Sequence, residues 1–186
     1  IKLKNIPNIS TISRLLCCPI WLILFYFDYY IFCLILILYS AISDYLDGLL
    51  ARKFNATSIL GKTLDPIADK IFTCTVLITF ISDARANSII VAIIIIREII
   101  VSGLREALAN YNRANSLAVT FLSKIKTTFQ FLTIFILALV PLNIAFSNKI
   151  YNFGSIFLYI TAILTVYTGY KYVINSIIEF NKIKRE

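Results

Sequence analysis

Apolar residues in this chain come in long runs rather than in alternation. Six runs stand out, at residues 12–27, 31–53, 64–82, 88–109, 124–145 and 153–178, separated by short polar stretches. Run length argues for helices, because a closed barrel would need alternating segments of about ten residues, and these are absent from the sequence. About 20 apolar residues in helical form cross a bilayer. The pattern therefore predicts an all-α, polytopic membrane protein with six transmembrane helices. Residues 1–10, with Lys2 and Lys4 on the polar side, predict an N-terminal juxtamembrane amphipathic helix. The loops are short, and no linker, low-complexity tract or internal repeat interrupts them, so residues 1–186 are expected to form a single domain.

Composition supports this reading. Of the 186 residues, 59% are hydrophobic and only 15% charged, and the mean hydropathy is +0.83, outside the habit of a soluble domain of this length. The net charge of +8 would suggest nucleic acid in a soluble protein. Here the cations sit beside apolar runs, where they predict loops facing anionic head groups, and no nucleic-acid partner is expected. Placing the N-terminus in the cytoplasm puts sixteen of the eighteen Lys and Arg residues on that side or in the adjoining halves of the spans, and leaves Arg85 and Lys149 opposite. That asymmetry predicts cytoplasmic N- and C-termini in a multi-pass cell-membrane protein. A bacterial cytoplasmic membrane is the expected home, with an organelle membrane as the alternative. The first run flows into the second without a small-residue cleavage pattern, so no cleavable signal is expected. Cys17, Cys18, Cys33 and Cys74 all lie in apolar runs without metal-ligand spacing and read as buried, unreactive thiols. Histidine is absent, so a general base must be a carboxylate, Lys, Tyr, Cys or water, and a hard-metal site must be built from oxygens.

Such oxygens are present. The second run ends in Asp44-Tyr-Leu-Asp47-Gly48-Leu-Leu-Ala51-Arg52, and the third begins in Gly61-Lys-Thr-Leu-Asp65-Pro-Ile-Ala-Asp69. An acid at mid-membrane depth costs about 2.5–3.5 kcal/mol on insertion scales, so four of them call for a compensating ligand. Asp44 and Asp47 share one helix face with Ala51, and Asp65 and Asp69 share another. Thr63 is placed to cap the third helix, with Pro66 in its first turn. On antiparallel helices joined by a short cytoplasmic loop the two acidic faces can converge. Four carboxylates without imidazole suit Mg²⁺ or Mn²⁺, and two ions about 3.5–4 Å apart would match a two-metal phosphoryl-transfer site. Gly48 and Ala51 leave room for a nucleotide beside the carboxylates, although close helix packing through small residues would use the same pair. A salt-bridge network or a proton path is the alternative use of the acids.

The pattern Asp-x₂-Asp-Gly-x₂-Ala-Arg-x₈-Gly-x₃-Asp-x₃-Asp, intact across residues 44–69, resembles the signature of the CDP-alcohol phosphatidyltransferases. The resemblance implies a six-helix membrane enzyme, a homodimer, that displaces CMP from a CDP-linked substrate with an alcohol. It implies that Asp44, Asp47 and Asp65 bind metal, that Asp69 binds metal and serves as general base, and that Gly48, Ala51, Arg52 and Ser58 contact the CDP moiety. Asn8 and Thr11, in the stretch from Asn5 to Arg14, would also meet the CDP-lipid. That stretch, the segment from Leu64 to Lys70, Arg97-Glu98-Ile99, the segment from Ser102 to Glu106 and the segment from Lys124 to Thr128 are similar to the bacterial phosphatidylglycerophosphate synthase branch. Ser10 and Ser123 depart from it, where Leu and Gly are more usual. The last two runs read as generic.

This branch implies CDP-diacylglycerol and glycerol 3-phosphate as substrates. The latter is a small dianion that needs fixed cations, and Arg97, Arg105, Lys124 and Lys126 are the candidates for its phosphate. Positive-inside anchoring and snorkelling are the competing explanation of the same side chains, weakest for Arg97, which lies well inside a run. Glu98 and Glu106 are placed to pair with the arginines. No activated Ser, Cys or His nucleophile is visible, which favours direct displacement. The rival acceptors are inositol phosphate, serine and a phosphatidyl alcohol. From another class the rival is an acid-lined cation or proton transporter, which would not account for the Gly48, Ala51 and Arg52 register, and a membrane scaffold would leave the acids unexplained.

Overall fold

The computed structural model describes the backbone over residues 6–54, 59–111 and 120–184, and side chains over 12–43, 67–68, 70–111 and 120–184. Over these residues the chain is all-helical, without strands. The helices are α1 (Ile6–Tyr26), α2 (Tyr30–Phe54), α3 (Ile59–Ser82), α4 (Ser88–Asn110), α5 (Phe121–Ala138) and α6 (Ser147–Ile183), and two one-turn 3-10 segments, Val140–Leu142 and Ile144–Phe146, join the last two. The stretches Phe121–Leu142 and Ile144–Ile183 are each long and apolar enough to cross a bilayer. Ile12–Tyr26, Tyr30–Ser43 and Lys70–Ser82 are shorter apolar helical stretches.

The helices correct several boundaries expected from the apolar runs, for one reason: an apolar run marks what is buried in lipid or core, whereas the helix is bounded by its backbone hydrogen bonds. Residues 6–10 are the opening turns of α1, continuous with the rest of it; residues 1–5 of the expected juxtamembrane helix lie outside the described residues. α3 begins at Ile59, so Thr63 lies within the helix rather than capping it, and Pro66 falls in the third turn instead of the first. α5 starts at Phe121, where the Thr120 side chain accepts from the Ser123 N–H, and it ends at Ala138, because Pro141 has no N–H and restricts the residue before it. α6 has 37 residues, about 55 Å at 1.5 Å per residue, and so exceeds a hydrocarbon core of about 30 Å.

α1 packs against both α2 and α3; α4 and α5 pack on α6; and α3–α4 and α2–α5 contacts close the bundle. The connections at 27–29, 83–87 and 139–146 gather at one end around Arg85, which is 5% exposed. Its guanidinium lies 5.1–5.2 Å from the ring centroids of Phe25, Tyr30 and Phe80. It also pairs with Asp83, and Nη1 donates to the Leu137 carbonyl at 3.3 Å. One cation thus ties the ends of α1, α2, α3 and α5 together, through cation–π contacts that strengthen where water is excluded. Asn87 caps α4 beside it, accepting from the N–H groups of Ile89 and Ile90.

Next to this end lies the main apolar core, which includes Trp21, Cys33, Ile37, Phe72, Val76, Ile94, Leu137 and Leu158. Trp21 anchors α1 to α3: its indole Nε1 donates to Thr79 Oγ1 at 3.0 Å, and its ring meets Phe72 and Phe80 edge-on. Gly154 lets α6 approach α5 closely, since a Cβ there would stand 2.6 Å from Leu137 Cδ2. Cys17, Cys18 and Cys33 are buried free thiols, as expected, and Cys74 is half-buried.

The outside of the bundle is apolar and much of its inside is polar. Ile12, Ile23, Ile99 and Ile163 are more than half exposed, while Arg14, Glu98, Lys126, Gln130, Thr133, Thr161 and Thr165 are buried. That inversion belongs to a protein whose solvent is lipid, where polar side chains turn inward and pair. At the centre, the Glu98 carboxylate accepts from Lys126 Nζ and from Arg97 Nη1 at 3.0 Å. Beyond this polar layer a second apolar cluster, Val101, Leu108 and Tyr172 with Phe180 and Ile183, fills the other end.

Glu98→Gln keeps the shape but leaves two cations facing one neutral amide in a buried layer. The expected loss is about 3 kcal/mol, read as a lower thermal midpoint of the detergent-solubilised protein. Glu98→Gln together with Lys126→Met should recover part of it.

Candidate active site

Arg97 and Arg105 are eight residues apart on α4, close to one face of the helix, and both side chains lie against α6. Arg97 Nη2 donates to Thr168 Oγ1 at 2.9 Å, and its guanidinium stands 5.6 Å from the centroid of the Tyr172 ring. Arg105 Nη2 donates to Tyr172 Oη at 2.7 Å, with its guanidinium 4.9 Å from the same centroid. Ser123, on α5, donates to Tyr172 Oη at 3.2 Å. Lys126 joins the cluster through Glu98, which it shares with Arg97. At 4% exposure Lys126 does not snorkel; it is neutralised in place. Lys124 is exposed on the first turn of α5. Of the four cations expected to hold a phosphate, the structure thus gathers Arg97, Arg105 and Lys126 and leaves Lys124 on the surface.

α3 is joined to this cluster one residue beyond Asp69. Lys70 Nζ donates to Ser102 Oγ of α4, and Ser102 Oγ in turn donates to the Glu98 carbonyl at 2.6 Å. A hydrogen-bonded chain therefore runs from the last turn of the acidic motif to the Glu98 layer. The side chains of Asn8, Thr11, Asp44, Asp47, Gly48, Ala51, Arg52, Asp65 and Asp69, and all of Ser58, lie outside the described residues. The backbone places Asp44, Asp47, Gly48, Ala51 and Arg52 in the closing turns of α2, which ends at Phe54. Asp65 and Asp69 lie within the first half of α3, which begins at Ile59. Among the described residues no group of three or more His, Cys, Asp or Glu side chains is placed to hold a metal ion.

The polar chemistry of the cluster favours an anion. Arg97 Nε and Arg105 Nε are buried and have no hydrogen-bond partner among the described residues. A buried, charged N–H donor without a partner is costly, and an oxyanion satisfies it. Thr168, Gly169 and Tyr172 were not singled out by sequence, although a signal existed. Thr161, Thr165, Thr168, Tyr172 and Ser176 recur at steps of three and four residues in an otherwise apolar run, which puts them on one helix face. All five are buried.

Known proteins place this arrangement. The family model for CDP-alcohol phosphatidyltransferases matches residues 4–167. A protein of Rickettsia bellii named CDP-diacylglycerol–glycerol-3-phosphate 3-phosphatidyltransferase is 38% identical over 174 residues, covering 91% of this chain and 93% of its own. A protein of the same name from Blochmanniella floridana is 36% identical over 187 residues, 97% of this chain and 96% of its own. Another from Pectobacterium atrosepticum is 33% identical over 174 residues, 91% and 93%. The match takes in the acidic motif on α2 and α3 and the cations of α4 and α5, and it continues into α6: the chain belongs to the CDP-alcohol phosphatidyltransferase family.

Proposed function

We propose that this chain is a CDP-diacylglycerol–glycerol-3-phosphate 3-phosphatidyltransferase, which makes phosphatidylglycerol phosphate and CMP. Relatives of that name, similar over nine-tenths of the chain, support the activity. The observation that carries the site assignment is the hydrogen-bonded chain from Lys70 through Ser102 to Glu98, with Lys126 and Arg97 on the Glu98 carboxylate. It brings the acid-bearing helix α3 against a buried cationic cluster, as a reaction between a pyrophosphate and a phosphorylated alcohol requires.

In this reading Asp44, Asp47, Asp65 and Asp69 hold Mg²⁺ or Mn²⁺, two ions by the number of carboxylates. The donor set fits, since four carboxylates in a chain without histidine select hard divalent cations. When bound, such ions supply electrostatic stabilisation of the charge that develops on the pyrophosphate oxygens. Gly48, Ala51, Arg52 and Ser58, with Asn8 and Thr11, meet the CDP-lipid. Arg97 and Arg105 hold the acceptor's phosphate; Lys126 contributes through the Glu98 carboxylate that it shares with Arg97, and Lys124, exposed on α5, adds positive charge from outside the buried cluster. Asp69 takes the proton from the primary hydroxyl of glycerol 3-phosphate. That oxygen bonds to the phosphorus bearing diacylglycerol, the bond from this phosphorus to the bridging oxygen breaks, and CMP leaves with the electron pair.

The substrate's acyl chains need an apolar path to the bilayer. A groove of about 370 Å³ between α2 and α5, lined by Ile37, Leu38, Ala41, Phe131, Leu132 and Phe135 among others, offers one. Ala41 is one helical turn before Asp44. The reading includes six membrane crossings of a single domain spanning residues 1–186, with both termini and the site on the cytoplasmic face of the cell membrane. The Lys and Arg asymmetry supports that orientation, and the three connections gathered at the Arg85 end support placing both termini on one side. It also includes a homodimer, on the family resemblance alone.

The first test is CMP release by the purified protein with CDP-diacylglycerol, comparing glycerol 3-phosphate, inositol phosphate and serine in Mg²⁺, Mn²⁺ or chelator. Release with glycerol 3-phosphate alone, lost in chelator, is expected; release only with another acceptor would overturn the acceptor assignment. Asp69→Asn should lower kcat at least about 100-fold, the usual contribution of a general base, and near-normal turnover would remove it from that role. Arg105→Lys should raise the KM for glycerol 3-phosphate roughly tenfold, because an ammonium does not reproduce the planar guanidinium fork, with the KM for CDP-diacylglycerol unchanged.

A further inference from the structure

We propose that Tyr172 is the positioning residue of the acceptor-phosphate site, holding Arg97 and Arg105 so that their two free Nε–H donors face one oxyanion. Thr168 and Gly169 on the same helix complete the seat. The inference rests on the functional reading above and extends it to α6, a helix whose sequence shows no motif of its own.

Tyr172 is 5% exposed and meets both arginines. Its ring lies 5.6 Å from the Arg97 guanidinium and 4.9 Å from that of Arg105. Its hydroxyl accepts from Arg105 Nη2 at 2.7 Å and from Ser123 Oγ at 3.2 Å. Two guanidiniums this close to one ring repel each other, and the negative face of the ring attracts each of them. Thr168 also fixes Arg97, accepting from Nη2 at 2.9 Å, while its own hydroxyl donates to the Leu164 carbonyl at 2.8 Å. Gly169 supplies the space: a Cβ there would stand 2.8 Å from Arg97 Cγ and 3.3 Å from Nε. An alanine would displace the arginine along its stem.

One Nη of each arginine is therefore occupied by α6, and Arg97 Nη1 by Glu98. The Nε of each is buried and unpaired among the described residues. A merely structural use of these arginines would leave both donors unpaired at a cost, whereas a phosphate monoester accepts from both. Tyr172 makes no contact with substrate in this proposal; it acts through the arginines, so its removal falls on acceptor binding.

The test compares Tyr172→Phe, Tyr172→Leu and Gly169→Ala with wild type in the CMP-release assay, titrating each substrate separately and recording thermal midpoints. Loss of the hydroxyl should raise the KM for glycerol 3-phosphate about 3- to 10-fold. Loss of the ring face should raise it further, and Gly169→Ala should resemble the latter. The KM for CDP-diacylglycerol should stay within about twofold throughout. Glycerol 3-phosphate should also raise the thermal midpoint of wild type at lower concentration than that of Tyr172→Phe, a readout independent of turnover. Equal changes in both KM values, or a lower thermal midpoint with both KM values unchanged, would make Tyr172 a packing residue and overturn the proposal. If wild type itself released no CMP with glycerol 3-phosphate, the functional reading would fall and this one with it. An active wild type with unaltered Tyr172→Phe and Gly169→Ala variants would overturn this inference alone.

Discussion

The shared carboxylate of Glu98 is the interaction on which the rest of the bundle depends. Lys126 from α5 and Arg97 from α4 both point into the interior, where an unpaired charge costs several kcal/mol. Glu98 offsets them, and its backbone carbonyl receives Ser102, which receives Lys70 from α3. Arg97 then reaches Thr168 on α6. Four helices are held in register by one set of polar contacts, in a setting where apolar side chains alone choose a register weakly because lipid solvates them as well as protein does. The same contacts set which donors remain open. Among the described residues, Arg97 Nε and Arg105 Nε stay buried without a hydrogen-bond partner.

The two ends of the bundle are built differently. At one end Arg85 is enclosed by three aromatic rings and a carboxylate, and the helix connections are only a few residues long. Trp21, Phe72 and Phe80 pack beneath it. At the other end lie the acidic turns of α2 and α3, the arginines of α4 and the long extension of α6. An aromatic-sealed end thus stands opposite an end rich in charged residues, where the proposed reaction would bring a lipid-borne pyrophosphate and a water-soluble dianion together. An apolar groove lies between α2 and α5 of the same bundle.

Much of this was legible in the sequence because the bilayer narrows the choices. Runs of apolar residues predict helices, and the described residues are all-helical. The spacing of Asp44, Asp47, Asp65 and Asp69 points to oxygen-ligand metal chemistry and resembles one family, to which the chain belongs. Arg97 was read as too deep to reach water cheaply, and it is paired in the interior. The places where sequence reading fell short have physical reasons. Helix starts were set too late at α3 and α6, since apolar character begins after the backbone hydrogen bonds do. From sequence alone Lys126 is ambiguous between snorkelling and binding, because a lysine near a helix start looks the same in either case until Glu98 is seen 28 residues away in sequence and in contact.

By itself the sequence determined the solvent of this protein, its helical class, its family and the chemical identity of the acids and cations it carries. All of these follow from residue type and local spacing, which the chain carries without folding. The tertiary structure decided that Lys126 is paired with Glu98 while Lys124 stays on the surface, and that Tyr172 and Thr168, distant in sequence from every recognised motif, are what meet the arginines. Those outcomes depend on which side chains meet across α4, α5 and α6. Burial gives such a meeting its energy, and no local pattern encodes it.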